Sequence, residues 1–367
     1  MSNGKIRYKF LFAGGGTGGH LFPAIAVAEQ IKEMKPEAEI LFVGTKDRIE
    51  GKTIPKLGYS FKSIWVKGFS RKFTLENLLF PLRLFVSAVQ SLFINARFNP
   101  RVAIGSGGYV AGPAIWGASV LGAKIILLEQ NSYPGVTTRL LEKHADEIHI
   151  SFEDSKKYLK KKNILLTTGN PVRKDFGTID KVEALTSFGF SAEKKTLLIL
   201  GGSLGAGSIN KAAGNVVNKL SDEGLQVLWQ TGKNYYEDYK HFNSKSIKVF
   251  DFIEDMNYAY STSDLTLARA GATTIAEILV LGIPSMLVPS PNVAENHQYY
   301  NAKSLSDAGA AILIEDKEID LRMFGEVTVT INSDEKLTEL KKNALLLAKP
   351  DAAKVIAKSA IRFAEVK

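Results

Sequence analysis

Apolar and polar positions follow one pattern twice along this chain: a short apolar run, a glycine-rich turn, then a helix with a single apolar stripe. The run at 10–13 passes through Gly14-Gly-Gly-Thr-Gly-Gly-His20 into apolar Ala24, Val27, Ala28 and Ile31. The run at 197–200 passes through Gly201-Gly-Ser-Leu-Gly-Ala206 into Ile209, Ala212, Ala213, Val216, Val217 and Leu220. Both stripes step by three and four, the period of a helix that buries one face. Further apolar runs predict strands at 40–43, 102–104, 125–128 and 148–150 in the first half. In the second half they predict strands at 226–229, 247–250, 265–268 and 285–288. Helical patterns separate them, so each half predicts a parallel sheet covered on both faces, an α/β fold. Gly169-Asn-Pro-Val-Arg173 follows the strand-like stretch 164–167 and reads as a linker. Gly282-Ile-Pro284 closes a helix, and 352–364 reads as a last helix.

Glycine serves where backbone turns tightly or approaches a ligand, and a helix N-terminus behind it offers free N–H groups to phosphate. Two such devices predict two nucleotide-type domains. The length of 367 residues accommodates two or three domains, and 45% hydrophobic with 23% charged residues is the balance of a globular enzyme. With no cysteine, disulfides and thiolate metal sites are excluded. The apolar run after Lys5, Arg7 and Lys9 is too short for a signal peptide. The charge-free segment 84–96 is shorter than the roughly 18–20 residues that span a bilayer. A formal charge of +9 favours anionic partners. No zinc-finger spacing or RNA-binding signature accompanies it, so phosphorylated substrates and a membrane surface are expected ahead of nucleic acid.

Candidate chemistry sits at the ends of the predicted strands. A dinucleotide fingerprint needs an acidic residue closing the second strand, but that strand runs into Gly44-Thr45, which disfavours hydride transfer. Gly51-Lys52-Thr53 resembles the end of a Walker motif, yet Lys46 stands where its first glycine belongs. His20 is either a local packing residue or a proton acceptor for a sugar hydroxyl. Thr274-Ile-Ala-Glu277 fits a capping box, or alternatively Glu277 accepts from the two hydroxyls of a ribose. Glu129-Gln-Asn131 ends a strand where open α/β sheets line their ligand crevice. Ser203 and Arg173 suit a diphosphate. Five scattered histidines form no ligand cluster, so neither a metal nor another cofactor is expected.

Taken together and in order, seven segments resemble the MurG family of UDP-N-acetylglucosamine transferases. They are Gly14–His20, Gly105-Ser-Gly-Gly-Tyr-Val-Ala-Gly-Pro113, Glu129–Asn131, Gly169–Arg173, Gly201–Ala206, Arg269-Ala-Gly-Ala-Thr-Thr-Ile-Ala-Glu277 and Asn296-His-Gln-Tyr-Tyr-Asn-Ala302. The resemblance implies a GT-B fold: two Rossmann-like domains facing across a deep cleft, 1–172 and 173–350, with 351–367 crossing back to the first. It implies inverting transfer of N-acetylglucosamine from UDP to the 4-hydroxyl of undecaprenyl-diphospho-N-acetylmuramoyl-pentapeptide, without metal, at the cytoplasmic face of the inner membrane. By the same resemblance Ile253 offers main chain to uracil and Glu277 holds the ribose. Ser203, Arg173 and the main chain of Ala272, Thr273, Thr274, Ile275 and Ala276 hold the diphosphate. Gln298 and Asn131 read the sugar, and Thr17, Gly18 and Gly19 close on it. The loops of Gly15 and Gly16, and of Gly107, Gly108 and Tyr109, face the acceptor diphosphate, with His20 or Glu129 as catalytic base. Two positions depart from the family pattern: Leu128 replaces a polar residue and Leu204 replaces glutamine. A UDP-sugar epimerase or hydrolase of the same fold, or a non-catalytic nucleotide-sugar binder, is the alternative.

One segment asks for more than a buried helix. Leu75, Leu78, Leu79, Leu82 and Phe85 are spaced as a buried face, whereas Phe73, Phe80 and Leu84 fall off that stripe. With Phe69, and with Lys67, Arg71, Lys72 and Arg83 among them, Phe73, Leu79, Phe80 and Leu84 are expected to form an apolar and basic patch that meets anionic inner-membrane lipid.

Overall fold

A computed structural model describes residues 7–68, 79–174, 176–202 and 204–366. The chain divides into two compact units, Met1–Arg173 with Pro350–Lys367, and Lys174–Lys349.

The first unit is built on a seven-stranded sheet. Its strands are β1 (Lys9–Gly14), β2 (Glu39–Gly44), β3 (Ser60–Ser63), β4 (Val102–Gly107), β5 (Lys124–Glu129), β6 (Glu147–Ile150) and β7 (Leu165–Thr167). Every pairing is parallel, in the order β3-β2-β1-β4-β5-β6-β7. Because successive strand side chains point to opposite faces, the sheet feeds two cores. Phe10, Phe12, Ile40, Phe42, Ile104, Ile126 and Leu128 pack on one face with Ile356, Ala357, Ala360 and Ala364 of the helix Ala352–Glu365. Leu11, Ala13, Leu41, Val43, Ala103, Ile125 and Leu127 pack on the other with Ala111, Ala114, Ile115 and Ala118.

The second unit repeats the plan with six strands. These are β8 (Thr196–Leu200), β9 (Gln226–Gln230), β10 (Ile247–Phe250), β11 (Leu265–Ala268), β12 (Ser285–Leu287) and β13 (Ile312–Leu313), in the parallel order β10-β9-β8-β11-β12-β13. Leu197, Ile199, Val227 and Trp229 face one core, while Leu198, Leu200 and Leu228 face the other. In both units the chain reverses direction across the sheet at its centre, between β1 and β4 and between β8 and β11. Such switch points open a crevice at the strand C-termini, where ligands of open α/β sheets bind. The doubly wound α/β reading of each half is therefore correct.

The helix Phe80–Phe98 corrects one expectation. Leu79, Leu82 and Phe85, spaced for burial, are 43%, 51% and 67% exposed, as are Leu84 at 45% and Phe93 at 70%. Its buried positions are Ser87, Ser91 and Asn95. The reason lies in the neighbouring helix Ala111–Val120, where a Cβ on Gly117 would stand 3.2 Å from Asn95 Nδ2 and 3.2 Å from the Ser91 carbonyl carbon. Asn95 Nδ2 donates to the carbonyls of Ser91 at 2.8 Å and Ala114 at 3.1 Å. Small residues on the inward face allow this close approach, so the large apolar residues turn outward. Phe69 and Phe73 lie outside the described residues.

Candidate functional site

In the first unit the loops after β1, β4 and β5 converge. Gly107 and Gly108 have positive φ (102° and 79°). A Cβ on Gly107 would stand 2.7 Å from His20 Nδ1, and one on Gly108 would stand 2.5 Å from the carbonyl oxygen of Gly15. Glycine is required here both for the conformation and for the contact. His20 is the third residue of the helix Gly18–Met34, whose N-cap Thr17 makes no side-chain cap. Its main-chain carbonyl accepts from Ser106 Oγ at 2.7 Å. Its ring Nδ1 lies 3.2 Å from Gln130 Oε1. Thr17, Gly18 and Gly19 thus sit at the start of this helix. Tyr109, which follows Gly108, is 60% exposed.

Glu129 is buried at the end of β5. Its Oε1 accepts from Asn131 N at 3.0 Å and its Oε2 from Gly135 N at 2.9 Å. The carboxylate therefore holds the turn that carries Asn131. Leu128, at the polar position of the family pattern, packs in the apolar core. Arg173 is half-buried at the end of this unit.

A residue that sequence reasoning missed is Glu50, fully buried on the helix Ile49–Lys56. One oxygen accepts from Gly16 N at 2.9 Å; the other accepts from Thr45 N at 3.0 Å and Thr45 Oγ1 at 2.6 Å. The glycine loop is thereby tied from behind by a carboxylate. A lone glutamate beside a helix start gives no signal of this in sequence, because the partner loop lies more than thirty residues away.

In the second unit the helix Ala272–Leu281 follows β11 directly, with Gly271 as N-cap and no side-chain cap. Thr274 and Glu277 lie inside this helix, so the capping-box reading of Thr274–Glu277 is wrong. The N–H groups at Ala272, Thr273 and Thr274 head the helix. Instead Glu277 Oε2 accepts from Tyr260 OH at 2.8 Å. Burial, then the Glu277 charge, push the Tyr260 phenol well above its ordinary pKa. Ile275 is buried and Ala276 half-buried on the same helix.

Arg269, in the turn after β11, clasps three segments. Its guanidinium donates to the carbonyls of Val288 at 3.1 Å and Pro289 at 3.2 Å, to Ser208 Oγ at 2.7 Å and to Asp316. Gln298 Oε1 accepts from Ser290 N at 2.9 Å, which fixes its carboxamide beside the same loop. Ile253 N donates to Gln230 Oε1 at 2.8 Å, so that N–H is already engaged. Leu204 is 68% exposed, and Ser203 lies outside the described residues. The predicted residues that are described thus fall into two groups, one in each unit, on segments that follow the C-terminal ends of its strands.

The comparisons with known proteins agree with this architecture. The glycosyltransferase family 28 N-terminal domain matches residues 10–150, and the glycosyltransferase family 28 C-terminal domain matches residues 196–356. A protein of Flavobacterium psychrophilum, named UDP-N-acetylglucosamine–N-acetylmuramyl-(pentapeptide) pyrophosphoryl-undecaprenol N-acetylglucosamine transferase, is 41% identical over 362 residues. That match covers 98% of this chain and 98% of the relative. The protein of the same name from Parabacteroides distasonis is 41% identical over 98% of this chain and 100% of its own length. Among solved structures, Acinetobacter baumannii MurG aligns with a TM-score of 0.75 at 25% identity, over 97% of this chain and 99% of that one.

Proposed function

The chain belongs to the MurG family within glycosyltransferase family 28, and from that membership we propose how its two units carry out the reaction. The enzyme transfers N-acetylglucosamine from UDP-N-acetylglucosamine to undecaprenyl-diphospho-N-acetylmuramoyl-pentapeptide, converting lipid I to lipid II. The observation that carries this is identity of 41% with transferases of that name over almost the entire chain. The epimerase, hydrolase and binding-protein alternatives lack such support.

The second unit holds the donor. The N–H groups of Ala272 to Thr274 at the helix start, with Ser203 and Arg173, meet the diphosphate, as helix N-termini meet anions, while the Ile275 N–H is engaged by the Gly271 carbonyl. Glu277 accepts from the ribose hydroxyls, its other engagement with Tyr260 holding the carboxylate in place. Ile253 serves uracil through its carbonyl, its N–H being engaged. Gln298, oriented by Ser290, reads the sugar hydroxyls.

The first unit holds the acceptor, its diphosphate on the loops of Gly15 to Gly19 and Gly107 to Tyr109. His20 takes the proton of the muramoyl 4-hydroxyl; that oxygen forms a bond to the anomeric carbon as the bond from this carbon to UDP breaks. The electron pair leaves on the diphosphate, stabilised by positioned N–H groups and Arg173. Attack from the face opposite UDP inverts the anomeric centre. Glu129, engaged on both oxygens by the main-chain N–H groups of Asn131 and Gly135, orients Asn131 and leaves the base role to His20.

The exposed apolar face of the helix Phe80–Phe98, with Leu79, Leu84, Phe85 and Phe93, lies against the cytoplasmic leaflet as a peripheral contact. Among the described residues no helix is long and apolar enough to cross a membrane. The deciding experiment is transfer of labelled N-acetylglucosamine from UDP to a lipid I analogue. Lipid-linked disaccharide is the expected product; UDP-sugar consumption without acceptor would refute the assignment.

A further inference from the structure

We propose that Gln130 is a positioning residue that fixes the tautomer of His20. Gln130 follows β5 and is 2% exposed. One end of its carboxamide lies 3.0 Å from the carbonyl oxygen of Ser106 and 3.2 Å from that of Leu128. Two carbonyls accept only from a donor, so this end is the NH2 group; a flipped amide would set its oxygen against two others. The opposite end is therefore Oε1, and it lies 3.2 Å from His20 Nδ1.

An acceptor facing Nδ1 requires Nδ1 to carry the ring proton. In the neutral imidazole, Nε2 is then the unprotonated nitrogen with a lone pair, the form that can receive a proton. The opposite tautomer would leave Nδ1 and Oε1 as two acceptors in contact and would present Nε2 as a donor, useless as a base. Gly107 enforces the same pose, since any Cβ there would stand 2.7 Å from Nδ1. Ser106 closes the arrangement, its Oγ holding the His20 carbonyl while its own carbonyl fixes the Gln130 amide. A buried amide thus does what the carboxylate of a hydrolase triad does for tautomer and orientation. Being neutral, it adds no charge to favour the imidazolium.

The inference rests on the reading of His20 as the proton acceptor, and the test separates the two. Long-range proton–nitrogen NMR of the full-length protein labelled in histidine reads the tautomer directly, with the His20 signals assigned by their loss in His20→Gln. The expected wild-type spectrum shows Nδ1 protonated and Nε2 unprotonated; protonation at Nε2 would overturn the proposal. Gln130→Met, which removes the acceptor, is expected to mix the tautomers and lower kcat at least tenfold with both KM values within threefold. An unchanged spectrum in Gln130→Met would also overturn the proposal. Full turnover in His20→Ala would remove the base reading alone, the spectrum still deciding what Gln130 does.

Discussion

Replacing Glu50 by glutamine isolates what ties the first glycine loop. The carboxylate takes three donors: Gly16 N on one oxygen, and Thr45 N and Oγ1 on the other. A glutamine oxygen satisfies the Thr45 pair, which puts its NH2 group against the N–H of Gly16. The Gly16 N–H, only partly buried, then loses its partner, at the low end of the roughly 1–3 kcal/mol that an unsatisfied buried donor costs, and two bonds fall from charge-assisted to neutral strength. Relief of carboxylate burial offsets part of this, leaving a net loss of roughly 1.5–3 kcal/mol. If the loop alone yields, that energy appears as a fall of ten- to a hundredfold in kcat/KM for the lipid acceptor. UDP affinity, a property of the second unit, stays within twofold. Gly15→Ala should reproduce the effect, since a Cβ there would lie 2.4 Å from the Glu50 carboxyl carbon. The assays are steady-state transfer with the acceptor varied, calorimetric UDP titration and thermal unfolding. Wild-type acceptor kinetics in Glu50→Gln, with an unchanged melting temperature, would refute the reasoning.

Three further outcomes are expected. Glu277→Gln should weaken UDP binding ten- to a hundredfold by calorimetry, a charge-assisted bond to ribose being worth about 1.5–3 kcal/mol; unchanged affinity would remove Glu277 from the donor site. Phe85→Ser combined with Phe93→Ser should reduce sedimentation with anionic vesicles, and wild-type binding should fall as salt rises; equal binding to neutral vesicles, untouched by the double change, would contradict the membrane contact. Glu147 receives hydrogen bonds from Ser359 and Arg362 of the last helix. Burial alone would raise its pKa, but the close His149 imidazole, Ser359 and the Arg362 charge hold it below the ordinary carboxylate value. Its contribution is therefore present above the unfolded pKa and lost as pH falls through the folded one. Arg362→Met should lower the melting temperature by about 1–4 °C at pH 7, as a half-exposed pair allows, and by less at acid pH; an equal drop at both would exclude the linkage.

The apolar runs determined the strands that carry both cores, because a strand buried on both faces must be apolar throughout. They missed β3 at Ser60–Ser63, whose edge position leaves Ser60, Lys62 and Ser63 exposed, and β13, only two residues long. Glycine turns ahead of helix stripes marked both switch points, since the positive φ of Gly16, Gly202 and Gly205 demands glycine locally, although Gly14 and Gly15 answer to remote Ser106 and Glu50. Periodicity failed at Phe80–Phe98, where spacing identifies a helix face but not which face is inward. Gly117 on a neighbouring helix decided that, by admitting Ser91 and Asn95 and turning Phe85 and Phe93 outward. The same limit hid the roles of Glu50, Gln130 and Arg269. Each acts through partners remote in the chain, and hydrogen-bond direction exists only once the fold has brought donor and acceptor together. Sequence could name His20, but which of its nitrogens holds the proton is set by an amide 110 residues away.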